Sequence, residues 1–258
     1  MSRRNSYPCW LALLTIFLSF GSVAFAESEP APVRDDPAEA RSSEEAAEWD
    51  IEIGACAALL TEYVWRGQVL VDDAVFQPAA NVTVENFTAA LWGNYALNDG
   101  EWTELDYILD YSAGLGALSR SLAKMTLSLG YIYYDFPNLT AGDDSQEIYA
   151  TIGMDAFLSP YASVYWDFDQ GDGTYYEVGV SHSVPVDEAS LNVGGSFGYN
   201  DGQWDFDSSL TALLLKASLA VPIGSKVVFE PGVFYSLALD SQYEDEFYGG
   251  LSFSFLVW

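Results

Sequence analysis

The chain has 258 residues, half of them hydrophobic and 16% aromatic, yet its formal charge is -29. That acidity leaves nothing to neutralise phosphates, which excludes nucleic acid as a partner and favours cationic or neutral solutes over anionic ones. A single histidine excludes a Cys/His metal centre.

Residues 1–26 read as a cleavable secretory leader. Arg3 and Arg4 precede the apolar run Trp10 to Phe20, and Ala24-Phe25-Ala26 is a small-residue cleavage site. The apolar run falls short of the ~20 residues that a helical span needs. Cys9 lies in this leader, so no disulfide framework is expected. Residues 27–48 are Pro, Ala, Ser and acid without apolar periodicity, and read as a disordered acidic tether. A short helix near Pro37 to Glu48 is the alternative.

From Ile51 the pattern has period two, the signature of a strand with two unlike faces. Ile51, Ile53, Ala55, Ala57, Leu59, Tyr63 and Trp65 share one parity, and Glu52, Cys56, Glu62 and Arg66 the other. This predicts one first strand from Ile51 to Gly67. Further strands follow at Phe76–Val84, Phe87–Tyr95, Leu105–Tyr111, Met125–Tyr133 and Ile148–Met154. The second half repeats the theme at Ala162–Phe168, Tyr176–Val180, Leu191–Tyr199, Leu213–Leu219 and Val227–Tyr235. In the last strand Leu251, Phe253, Phe255 and Val257 alternate with Ser252, Ser254 and Leu256, and Trp258 falls on the inward parity.

Twelve such strands of roughly ten residues suit a tilted membrane crossing. The connections alternate between long acidic loops (71–73, 98–103, 135–144, 169–173, 200–207, 240–246) and short, weakly charged turns (85–86, 114–121, 158–160, 185–190, 222–226). The expected fold is all-β: a closed antiparallel up-and-down transmembrane β-barrel over residues 49–258. The short turns and both termini would be periplasmic. A soluble sandwich would not leave one face of every strand nearly uncharged while charging the other.

Three motifs carry a family resemblance: Glu62-Tyr-Val-Trp-Arg-Gly67, Ala90-Leu-Trp-Gly-Asn94 and Glu104-Leu-Asp-Tyr-Ile-Leu-Asp-Tyr111. Over residues 60–115 the chain resembles the TorF family of outer-membrane proteins. The acidic stretch 27–48 departs from that pattern. The resemblance implies an outer-membrane barrel and supplies no catalytic residues.

Chemistry is sparse. Ser181-His182-Ser183 sets His182 on the opposite face from both serines, so it reads as an outward interfacial residue and not a base. Asp167 to Gly173 fails the calcium-loop spacing, because Gly171 and Asp172 stand where an acid and then a glycine belong. The candidate lumen charges are Glu62, Glu104, Asp106, Asp110, Glu147, Asp155, Asp167, Glu177 and Glu230, against Arg66, Lys124 and Lys216. Asp110 and Lys124 flank one hairpin and are expected to pair across it. Nine acids against three bases predict a small passive channel preferring cations or neutral solutes. The alternative is a non-conducting interaction barrel plugged by lumen aromatics such as Trp92, Tyr134 and Tyr165. No enzyme and no cofactor are expected, beyond weak divalent-cation binding by the acidic loops. The expected setting is the outer membrane of a Gram-negative-type bacterium. Expected partners are its lipid and lipopolysaccharide, the barrel-insertion machinery and small solutes.

Overall fold

The computed structural model describes residues 49–138 and 144–257. The expected leader 1–26, the tether 27–48 and the parity of Trp258 lie outside the described residues. Fourteen strands are described: β1 (Ile51–Leu60), β2 (Tyr63–Trp65), β3 (Gln68–Val71), β4 (Val75–Val84), β5 (Phe87–Ala96), β6 (Glu101–Gly114) and β7 (Met125–Asp135), then β8 (Ser145–Met154), β9 (Tyr161–Asp167), β10 (Gly173–Val186), β11 (Ala189–Asp201), β12 (Ser209–Ile223), β13 (Val227–Ala238) and β14 (Glu246–Leu256).

Twelve of them form one closed antiparallel barrel, each paired with its neighbours in chain order. Closure is made by β14 against β1, with Gly54 opposite Leu256 and Leu60 opposite Gly250. The amide of Val257 extends the seam to the carbonyl of Ile53 at 2.8 Å. Among the described residues the barrel wall therefore has no open strand edge for another chain to pair with. An even strand count brings Ile51 and Leu256 to the same rim, the one with the short turns.

Side-chain parity sorts the faces. On β6, Tyr107 and Leu109 are 48% and 58% exposed on the outer surface, while Ile108 between them and Asp106 and Asp110 on either side are buried inside. On β14, Leu251, Phe253 and Phe255 face out, and Ser252 and Ser254 face in. The outer band is therefore apolar and the wall of the lumen polar, the reverse of a water-soluble domain and the arrangement a bilayer demands.

Three expectations need correction. The first strand does not run to Gly67. It ends at Leu60, and β2 and β3 form a separate two-stranded sheet. Trp65-Arg66-Gly67-Gln68 is a two-residue hairpin with φ of 52° at Arg66 and 85° at Gly67. Positive φ at both central positions is the mirror-image turn whose twist matches the strands it joins. The second half of the loop expected over 98–103 is strand, because β6 already starts at Glu101. The connection 115–124 carries two short 3-10 turns and is longer than the one at 97–100, so loop length does not alternate strictly between rims.

Candidate functional site

The β2–β3 hairpin is folded into the long-loop half of the barrel. Tyr63 and Val64 are buried, in one cluster with Leu60, Val75, Trp92, Ile108, Ile132, Tyr134 and Tyr149 from the wall. The Tyr63 ring lies 5.6 Å from that of Trp92, and the Trp65 ring 6.3 Å from that of Tyr134. Each side chain buried in this way contributes about 1.5–3 kcal/mol relative to exposure. The turn is wedged: a Cβ on Gly67 would lie 3.3 Å from the Ala212 Cβ and 3.4 Å from the Tyr243 ring. A small cavity of about 20 Å³, little more than room for a water molecule, opens beside it, lined in part by Val64, Arg66, Glu177, Ser196 and Tyr248.

Arg66, at the tip, is the centre of the arrangement. Its Nη1 donates to Glu147 Oε2 at 2.8 Å and to Gln203 Oε1 at 2.6 Å, and its Nη2 donates to Glu147 Oε1 at 2.9 Å. The guanidinium carbon also lies 4.4 Å from the ring centre of Trp65 and 4.5 Å from those of Tyr165 and Tyr175. A planar cation is thus held by a two-point ion pair, an amide oxygen and three ring faces, the strong form of each contact.

Below the hairpin the wall is a set of polar networks, in which one carboxylate oxygen each of Asp106 and Glu230 is buried without a hydrogen bond. Asp110 accepts from Ser112 at 2.7 Å and from Tyr149 at 2.9 Å. Glu177 accepts from the Tyr161 hydroxyl, and Glu230 from Ser218 and from Asn192. Lys216 is half-buried, close enough to Glu177 and Glu230 for their charges to act on it. Glu104 and Asp106 are buried beside the hairpin on β6. Asp167 accepts from the Ser145 hydroxyl and from the amides of Asp169 and Gly171, so its loop is a closed turn.

The remaining charges lie elsewhere. Lys124 and Asp155 stand one residue beyond the ends of β7 and β8, exposed at the short-turn rim, where the Asp155 amide bonds the Lys124 carbonyl at 2.7 Å. The expected Asp110–Lys124 pair is therefore not formed, because the register sets Asp110 opposite Gly130. Glu62 sits in the link from β1 to the hairpin, with one buried carboxylate oxygen lacking a hydrogen bond. Burial, with Glu246 and Asp72 close by, holds its carboxyl above the usual range. His182 is opposite the outward Val193, and its ring packs 4.6 Å from that of Phe157. Among the described residues no group of three or more His, Cys, Asp or Glu is placed to hold a metal ion.

The sequence pattern pointed to Arg66, Glu147 and Tyr165 separately and missed Gln203 and Tyr175. The available signal was the dipeptide Arg66-Gly67, which fits a tight hairpin turn. Nothing local marks Gln203.

No family model matches the chain, and no curated protein does. Among solved structures, it is similar to the COG4313 outer membrane channel from Pseudomonas putida F1, with a TM-score of 0.53 at 10% identity over 86% of this chain and 100% of that chain. Salmonella typhi OmpF, in a complex with daunomycin, matches with a TM-score of 0.39 at 8% identity over 81% and 97% of the two chains. The translocator domain of the autotransporter NalP from Neisseria meningitidis matches with a TM-score of 0.36 at 10% identity over 82% and 90%. The likeness to the COG4313 channel shows the fold, that of an outer-membrane β-barrel.

Proposed function

We propose that the chain is an outer-membrane channel of narrow bore, closed at its long-loop rim by the β2–β3 hairpin, which passes small cationic or neutral solutes when the hairpin withdraws. The observation that carries this reading is the separateness of the obstruction. Residues 63–71 bond as their own small sheet and are not part of the barrel's hydrogen-bonded wall. Removing the hairpin from the lumen breaks no barrel ladder. What it would leave is a wall of hydroxyls and carboxylates, with Asp110, Glu177 and Glu230 against Lys216. Such a wall attracts cations.

The setting follows from the same faces. The apolar outer band suits outer-membrane lipid, the long acidic loops would meet lipopolysaccharide and attract divalent cations diffusely, and the barrel-insertion machinery would place the chain. The short-turn rim and both termini would then be periplasmic. The TorF resemblance adds to this reading, since its first motif, Glu62 to Gly67, is the hairpin itself. A catalytic role has little support, because the one histidine faces outward beside Phe157.

A second reading, a non-conducting interaction barrel, is favoured by the strength of the Arg66–Glu147 latch. Purified protein in a planar bilayer tests both. Small cation-selective steps are expected. Silence from the wild type and from a variant lacking residues 62–72 would overturn the channel and leave the interaction barrel. Outer-membrane fractionation with a heat-modifiability gel tests the setting, and a soluble band with no mobility shift on boiling would refute it.

A further inference from the structure

The pocket that holds Arg66 belongs to the barrel wall and its loops, not to the hairpin. Glu147 Oε1 accepts from the Tyr134 hydroxyl at 3.0 Å, and Glu147 Oε2 accepts from Gln203 Nε2 at 2.9 Å, both independently of Arg66. Gln203 is itself pinned. Its amide donates to Asn200 Oδ1 at 2.7 Å, and its carbonyl accepts from Asn200 Nδ2 at 3.1 Å. The backbone of Gly173 comes so close that a Cβ there would lie 2.4 Å from the Gln203 nitrogen. The hydroxyl end of Tyr175 lies against Gly198, where any Cβ would collide with it. A buried carboxylate, an amide oxygen and the ring faces of Tyr165 and Tyr175 therefore converge on one spot, each held by neighbours of its own.

That set matches a free guanidinium. The fork of N–H donors fits the carboxylate at two points, the amide takes a third donor, and the flat, weakly hydrated cation stacks on the rings. A compact ammonium or a metal cation offers no fork and keeps its water more tightly.

We propose that this pocket is the solute site of the channel, that it takes guanidinium-bearing organic cations, and that Arg66 is a built-in competitor which occupies it while the hairpin is docked. The proposal deepens the channel reading and rests on it for transport, though not for binding. The tethered Arg66 acts at an effective concentration on the order of millimolar or more, so a free guanidinium displaces it only in that range. Without Arg66 the buried Glu147 charge is uncompensated, and the pocket is open to a cation from solution.

Calorimetry on the full-length barrel in detergent, with methylguanidinium as the probe, tests this. Arg66→Ala is expected to bind it about tenfold or more tighter than the wild type. Arg66→Ala with Glu147→Gln is expected to lose that binding, and methylammonium at equal ionic strength is expected not to compete. Should Arg66→Ala fail the heat-modifiability gel, Arg66→Lys keeps the charge but not the fork and is expected to show a smaller gain of the same sign. Binding by Arg66→Ala no tighter than by the wild type, binding that survives Glu147→Gln, or equal binding of methylammonium would overturn the site. In bilayers, millimolar methylguanidinium is expected to raise wild-type conductance. Binding without any conductance would sink the channel and leave the site standing, whereas conductance without selective binding would do the reverse.

Discussion

Arg66 and Glu147, 81 positions apart in the chain, meet inside the barrel as a two-point ion pair with N–O distances of 2.8 and 2.9 Å. The pair ties a two-residue turn from one end of the barrel sequence to the wall of β8. On the proposed reading it is the contact that keeps the hairpin in the lumen. Breaking a buried pair from one side is costly because the remaining charge has nowhere to go.

Glu147→Gln should therefore release the hairpin. Losing the carboxylate costs about 3–5 kcal/mol, or roughly 100-fold or more in the ratio of docked to undocked hairpin. Limited trypsin digestion reads it directly, since cleavage after Arg66 needs the turn out of the lumen. The wild type should resist and the variant should be cut. Equal resistance would mean that the latch does not hold the plug.

Gly67→Val acts on the turn and leaves the ion pair's own atoms in place. A β-branched residue at φ 85° is strained by about 1–2 kcal/mol, and its Cβ meets Ala212. Expected are more frequent openings in a bilayer with an unchanged heat-modifiable barrel.

Replacing residues 62–72 by a short Gly-Ser link should raise unitary conductance and keep cation preference, because Glu177 and Glu230 stay in the wall. Adding Glu177→Gln and Glu230→Gln should then lower the cation-to-anion permeability ratio. A ratio that does not move would place the selectivity elsewhere.

Docking should also depend on pH through Glu62. Burial and the nearby Glu246 and Asp72 raise its carboxyl in the docked state, so that state binds the proton more tightly than the undocked one. The penalty for its charge is absent below the ordinary value near ~4.3. It grows as pH climbs to the raised value and is constant above it. Acidification should close the channel, and Glu62→Gln should flatten that part of the conductance–pH curve.

Gly173→Ala tests how Gln203 is held. The added methyl would overlap the Gln203 backbone and cost about 1–3 kcal/mol of overpacking. Trypsin should then cut at Arg66 faster than in the wild type but more slowly than in Glu147→Gln, because the ion pair survives.

Most of the barrel could be read from alternation alone. Tyr107 and Leu109 out, Asp106 and Asp110 in, is written into β6 as every second residue, and strand geometry turns that pattern into two faces. The last strand's partner followed from the even strand count, and β14 does close on β1. The hairpin escaped because Tyr63 and Trp65 keep the same parity as Leu59, so periodicity continues across a break at residues 61–62 that carries no glycine or proline. By itself, then, the sequence determined most of the strand residues of the barrel, which face meets lipid and that the lumen is acidic, because those depend on neighbours two positions away. The tertiary structure alone decided that the lumen is filled by the chain's own hairpin and that Arg66 lies on Glu147, Gln203, Tyr165 and Tyr175. Those contacts join residues as far as 137 positions apart, and no local period records which distant wall positions face one another.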